Sequence, residues 1–508
     1  MAIGVAISLY TAVLVLLGRV KRIPRLDVYH TGGGQLSAWA VFLLVLTLWS
    51  ASSIVVQIDT AYTAGVSAVW YGVSVALMSV LVAWLVPWFR ARDYISNSAL
   101  LGRVFGSRVR WVSGAVIGLT FPIFALSNAL AAAVYFRLAF HWGLGWSLVV
   151  TGAVLAVVIQ FGGMLSLVRT QWLNMAWLGL GLALATWKLW PRGGMVHSVP
   201  SAFYHPLGIG HGLVWVWFGM NTLNVFSAQA EIQAVVGAKN IRHGQRAVWA
   251  STVVLLGVIG LATWIGMRTR LVVGKPELDG LAAFAMVMLA HSGMWFRVLM
   301  ALSMWALALS WCGPLLLSGA VSMSQDVWRL PERTRAAKWA LLLEVVLMVA
   351  YASWRPAEVA WWRVFGLTLR NAAVVGPTLA LMVWPELPES VVLSSMVAGV
   401  LVGLGANAVT GFSPTVFLWG INPMWLAAST AFGVLAISRL VLSRRWGCLL
   451  GAVLVGGLVT ETVMRVPGWA VNRGVLLLVE ALLLVVWSWV MTRTSRGAGI
   501  SSIEGQPT

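Results

Sequence analysis

The chain has 508 residues, 60% of them hydrophobic and only 10% charged, with a mean hydropathy of +0.88. So little polar surface cannot coat a soluble globule, which excludes a soluble enzyme or a free binding module and leaves a polytopic membrane protein. The formal charge of +19 sits in short clusters between apolar runs, so positive-inside topology accounts for it and a nucleic-acid partner is not indicated.

Taken in order, the apolar runs predict helices near 2–18, 37–57, 67–88, 111–136, 145–163, 171–190, 212–235 and 247–267. Further runs lie near 295–322, 337–354, 359–384, 391–409, 422–442, 446–464 and 474–491. That is about fifteen spans, each close to the ~20 residues needed to cross the hydrocarbon as helix. The first run lacks a basic start and a small-residue cleavage site and reads as a retained span. Arg19, Lys21, Arg22 and Arg25, then Arg90 to Arg110, Lys239 to Arg246, Arg329 to Lys338 and Arg444–Arg445 all fall on one side. The N-terminus is therefore expected outside and the C-terminus in the cytoplasm of a cell-membrane protein. Within the external segment from Arg268 to Gly293, residues 278–290 are apolar enough for a short helix over a vestibule. The tail from Arg493 reads as disordered.

Two spans carry polar residues where apolar ones are expected. The first is Ala38 to Gly65, with Thr47, Ser50, Ser52 and Ser53 near its middle, then Gln57 and Asp59. The second is 212–235, interrupted by Asn221, Thr222, Asn224, Ser227 and Gln229. A polar break at membrane depth is tolerated only where it packs in protein or lines a cavity, and paired interrupted spans point to a transport site. Both are expected to come apart at mid-bilayer, although a helix ending near Val56 would leave Asp59 in an ordinary loop. Span eleven carries Arg363 and Arg370, seven residues apart and so on one face, which must point into protein.

Cys312 and Cys448 lack metal-ligand spacing, and the seven histidines show no helical His/Glu pattern, so no metal or cofactor is expected. Glu231, Glu344, Glu461 and Glu480 read as structural acids. No phosphate loop or nucleophile elbow is present, which argues against catalysis.

Several separated pieces resemble the sodium:solute symporter family. They are Val28-Tyr29 through Leu36-Ser37-Ala38-Trp39, with Gly33 where the family has Arg; Ser50-Ala51-Ser52-Ser53; and Ala61-Tyr62-Thr63-Ala64-Gly65. Others are Leu101-Gly102-Arg103-Val104-Phe105-Gly106-Ser107-Arg108, Gly162-Gly163-Met164 before Arg169-Thr170, Gln233 to Lys239, and Asp326-Val327-Trp328. The resemblance covers roughly residues 27–385. It implies the leucine-transporter fold, two inverted repeats of five helices, here 37–190 and 212–384 about an external loop at 191–211. Residues 1–36 and 385–492 would be peripheral.

The resemblance also implies a solute site between the broken helices, for which Ser50, Ser53, Tyr71, Asn221 and Asn224 are the candidates. Polar residues that merely bridge helices remain the alternative. The family's sodium cage implies carbonyls around Leu46 and Trp49 and a hydroxyl pair, but the pair reads Ser310-Trp311 and a nearby acid is replaced by Gln171. Sodium dependence therefore does not carry over directly. The coupling ion is sodium or a proton, or transport is uncoupled, and Asp59 is the proton candidate. Asp59 is expected near Arg363 or Arg370 as an external gate, an anion-binding arginine or a static ion pair. The reading is a secondary transporter of a small polar solute, tilted by the arginines toward a carboxylate-bearing one. A degenerate transporter serving as membrane sensor or partner subunit is the alternative. Oligomeric state is not legible.

Overall fold

The computed structural model describes residues 2–19, 26–160, 163–191, 197–330, 334–356, 359–413, 416–443 and 473–500. The helices in chain order are α1 (Ala2–Gly18), α2 (Leu26–Thr31), α3 (Ala38–Ala64), α4 (Val69–Arg90), α5 (Asn97–Phe105) and α6 (Ser107–Phe140). Next come α7 (Leu144–Ile159), α8 (Gly163–Leu189), α9 (His211–Asn224), α10 (Gln229–Val236), α11 (Ile241–Val273), α12 (Gly280–Leu289) and α13 (Met294–Ser322). The last are α14 (Thr334–Trp354), α15 (Val359–Arg370), α16 (Gly376–Val383), α17 (Glu389–Val409), α18 (Pro423–Leu442) and α19 (Arg473–Ile500).

Among the described residues nine helical stretches are long and apolar enough to span a membrane, or ten with the α7–α8 pair counted as one bent span. The chain is a multi-pass membrane protein. The lower number than the expected fifteen has a physical origin. Residues 38–90 form one continuous run of helical turns that contains two expected spans, α1 is a short 17-residue helix, and 212–235 is divided between α9 and α10. The span expected at 446–464, with Cys448, Glu461 and Arg465, lies outside the described residues. At the other end α19 runs on to Ile500, past the limit of 491 expected from hydropathy, while 501–508 lie outside the described residues.

Two compact units can be distinguished, residues 1–96 with 117–363, and 97–116 with 364–508. In the first, α3 and α13 are almost wholly buried and the other helices pack around them. The expected break at 46–53 is not there: α3 is an unbroken helix of 27 residues. The sequence explains why. Residues 38–64 contain neither Gly nor Pro, and the polar groups do not force an opening. A hydroxyl can bond back to its own helix, as Thr47 Oγ1 does to the Leu43 carbonyl at 2.6 Å. The chain turns instead at Gly65, whose φ of 64° suits glycine and whose Cβ position would lie 1.9 Å from the Phe203 carbonyl. Gln57 faces the turn: with its side-chain amide oriented to match its neighbours, Nε2 donates to Ala68 O at 2.7 Å and Oε1 accepts from Gly72 N at 2.9 Å.

The second expected break does occur. Between α9 and α10 the helix opens over 225–228, where Ser227 N bonds Asn224 O at 2.8 Å and Ser227 Oγ bonds Asn224 Oδ1 at 2.8 Å. An Asn whose side chain competes for local bonds ends a helix cheaply.

Helix α11 lies along α3 through small residues. A Cβ at Gly266 would meet Ile58 O at 2.6 Å and Ala61 Cβ at 2.8 Å. Gly266→Val should therefore force the two helices apart at about 1–3 kcal/mol. The apparent melting temperature in detergent should fall, whereas an unchanged value would mean that the contact is soft.

The second unit packs α17 on α18, with α19 against α18 and the π-helical turn Asn371–Val375 against both α17 and α18. Ala372, Ala427 and Ala431 form its seam, and a Cβ at Gly399 would meet Ala427 O at 2.8 Å, the small-residue packing common between membrane helices. Glu389 accepts from Arg108 N at 2.7 Å at the start of α6, and Glu386 pairs with Arg439 at 2.8 Å.

Candidate functional site

The centre of the first unit is organised around Arg363 on α15, which is only 6% exposed. Nη1 donates to Ser52 Oγ of α3 at 2.7 Å and to the Tyr71 hydroxyl of α4, and Nη2 donates to Ser127 Oγ of α6 at 3.2 Å. The guanidinium carbon lies 5.0 Å from the Trp311 ring centroid and 5.6 Å from that of Tyr71. None of these partners is a carboxylate. A buried cation without a countercharge is costly, and hydroxyls and aromatic faces recover only part of that cost.

A guanidinium carries five N–H donors, one on Nε and two on each Nη. Three are used here, and Nε has no hydrogen-bond partner. The two remaining donors sit on Nε and Nη2, the pair that forms the side-on fork for a carboxylate.

The surrounding helices hold this group rigidly. Asn128 Nδ2 ties α6 to Ala51 O of α3 at 2.9 Å and to Leu307 O of α13 at 3.3 Å, and its Oδ1 accepts from Ser127 Oγ at 3.1 Å. Trp311 Nε1 donates to Phe124 O at 2.6 Å, fixing the indole beneath the guanidinium. On the other flank Tyr71 packs edge-on against Trp217 of α9 at 5.8 Å. Asn221, one turn further along α9, donates to Ser74 Oγ at 2.8 Å. The half-helix α9 is thus linked through α4 to the arginine.

Further along α3, toward Asp59, lies an apolar cavity lined by Ile54, Val55, Ile58, Ala131, Leu307 and, from α12, Leu281. Helix α12 starts at Asp279, whose carboxylate caps Ala282 N at 3.0 Å. Asp59 lies against the start of α12, where a Cβ at Gly280 would meet its Cα at 2.8 Å and its Oδ1 at 2.9 Å. A carboxylate beside the first free amides of a helix is a favourable arrangement.

Of the residues expected in the solute site, Tyr71 and Asn221 belong to this connected group. Ser50 and Ser53 are buried in α3 on either side of Ser52, and their hydroxyls have no hydrogen-bond partner. Asn224 shapes the α9–α10 opening and also reaches Met78 Sδ at 3.5 Å. Leu46 and Trp49 are buried turns of the intact helix, and Gln171 accepts from Asn174 at 3.3 Å. Ser310 Oγ bonds back to Ala306 O at 2.7 Å. Arg370 is buried in the second unit, one residue before the π-turn. The expected pairing of Asp59 with an arginine is not found for Arg363, whose bonds go to hydroxyls while Asp59 lies against the start of α12. Ser52, Ser127 and Asn128 were not anticipated as site residues. The adjacent Ser-Asn pair inside the otherwise apolar run 111–136 is the signal that points to them.

The fold has counterparts among solved structures. A Na+-coupled sialic acid symporter in a substrate-bound, outward-open state superposes with a TM-score of 0.67 at 14% identity, over 85% of this chain and 96% of that one. Mhp1, a nucleobase-cation-symport-1 family transporter in a closed conformation with bromovinylhydantoin bound, gives 0.52 at 12% identity, over 84% and 95%. The chain has the leucine-transporter fold. No protein-family model and no curated protein sequence matches it.

Proposed function

We propose that this protein is a secondary transporter that moves a small polar, carboxylate-bearing solute by alternating access. The observation that carries the reading is the side-on face of Arg363: a buried guanidinium with two donors left over and, among the described residues, only hydroxyls as hydrogen-bond partners. A solute carboxylate would supply the missing charge and take both donors in one planar contact. Its remainder would extend into the apolar cavity toward Ile54 and Ile58, beneath α12. The opened helix at 225–228 supplies the flexible element such a carrier needs, since half-helices that move against a packed bundle are how this fold exposes a central site.

The single fork favours a compact monocarboxylate or amino acid over a multiply charged solute, and the cavity, about 30 Å³ in this closed packing, would have to widen to admit it. The experiment is uptake by proteoliposomes of radiolabelled acetate, pyruvate, lactate, alanine and proline. Saturable accumulation of at least one, blocked by an excess of the same unlabelled acid, is expected. Accumulation of none, with the protein correctly inserted, would contradict the reading.

A second reading is favoured by the continuity of α3. With one of two expected openings absent, the chain would bind solute and signal its presence to a partner without carrying it. Saturable binding of a carboxylate to purified protein without uptake would support that alternative.

A further inference from the structure

We infer that Arg363 does the work of a coupling cation, so that the solute's carboxylate binds without sodium; this rests on the carboxylate reading above. A hard monovalent cation needs several oxygens that converge on one point and replace its hydration shell. Around α3 and α13 most of those oxygens are committed elsewhere, the hydroxyls of Ser50 and Ser53 being the exceptions. The Leu46 and Trp49 carbonyls lie inside the unbroken α3, where each accepts the amide four residues on. The Ser310 hydroxyl is turned back on Ala306, and its neighbour is an indole with no oxygen to give.

Pro314 releases one backbone carbonyl, that of Ser310, because proline has no N–H to donate four residues back. That carbonyl and the two unpartnered hydroxyls of Ser50 and Ser53 are too few oxygens for a cage. The remaining oxygens that face the site, those of Ser52, Tyr71 and Ser127, already accept from the guanidinium. A second cation among them would meet a fixed positive charge whose hydrogen-bond partners among the described residues include no acid. The site is therefore built to be positive before anything binds, and the species it attracts is an anion.

The charge balance differs from that of a sodium symporter. Where a mobile cation accompanies the solute, binding of the two is mutually favourable by about 5–150-fold in affinity. Here the cation is part of the protein and stays behind, so a sodium gradient has nothing to act on at this site.

The test compares initial uptake of radiolabelled acetate, pyruvate, lactate and alanine into proteoliposomes with external choline, potassium or sodium chloride. Saturable binding of radiolabelled sodium to the purified protein is measured alongside, and Arg363→Gln is carried through the same assays. The expected result is uptake that changes by less than about twofold between salts, no saturable sodium binding, and loss of uptake in Arg363→Gln. Sodium stimulation of about fivefold or more, within the usual coupling range, would overturn the inference and leave the transporter reading intact. So would sodium-independent uptake that survives in Arg363→Gln, because the charge would then lie elsewhere. Absence of uptake and binding for every acid, in every salt, would overturn the carboxylate reading and this inference with it.

Discussion

Arg363→Met should abolish uptake and leave the protein at least as stable as before. Removing one partner of a desolvated charge pair costs about 2–5 kcal/mol, so carboxylate affinity should fall by roughly 10²-fold or more. The stability expectation has the opposite sign. In the absence of solute the guanidinium is a buried charge held by hydroxyls and two rings alone, and replacing such a group with an apolar side chain of similar length is often neutral or stabilising. Uptake measured beside the melting temperature in detergent therefore separates a binding role from a structural one. Loss of both would mark Arg363 as a scaffold residue. Arg363→Lys keeps the charge but not the fork, and should retain only weak binding.

The second large effect is expected at Asp59. Its carboxylate sits beside the start of α12, where a Cβ at Gly280 would lie 2.9 Å from Oδ1, and an anion at the free amides of a helix start contributes up to about 2 kcal/mol when partly buried. Asp59→Ala removes that anion, so the start of α12 should loosen from α3. Hydrogen exchange over residues 280–289 should then accelerate by roughly tenfold or more, because local opening governs exchange there. If α12 is the cover of the cavity, solute exchange should also become faster and less saturable. Unchanged exchange would show that α12 is held by its apolar contacts with α3, α11 and α13.

The sequence made the membrane character, the two polar spans and the buried arginines legible, because each is a departure from an apolar background. Asn224 and Ser227 announced a true opening, since their side chains compete for backbone bonds at a helix end. Ser50, Ser52 and Ser53 carried the same signal and did not open the helix. Small hydroxyl residues fit a helix interior, and with no Gly or Pro nearby the backbone had no reason to part. Pattern alone does not separate the two outcomes, which depend on what packs around each segment.

The expected neighbour of Asp59 was Arg363 or Arg370, and for Arg363 the pairing is not found. Opposite charges are an obvious pair on paper, but a helix start leaves no mark in the sequence. Asp59 lies against the start of α12, and Arg363 turns to hydroxyls. Ser127 and Asn128 were passed over because α6 carries no charge near them, although a Ser-Asn pair deep in an apolar run is itself informative.

The most direct measurement is a structure of the protein with the carboxylate that it accumulates. The account predicts the two carboxylate oxygens on Arg363 Nε and Nη2, at the usual ~2.7–2.9 Å of charge-assisted bonds, with the rest of the solute toward Ile54 and Ile58. A solute bound elsewhere, with the bonds from Arg363 to Ser52, Tyr71 and Ser127 intact and Nε still unpartnered, would contradict it.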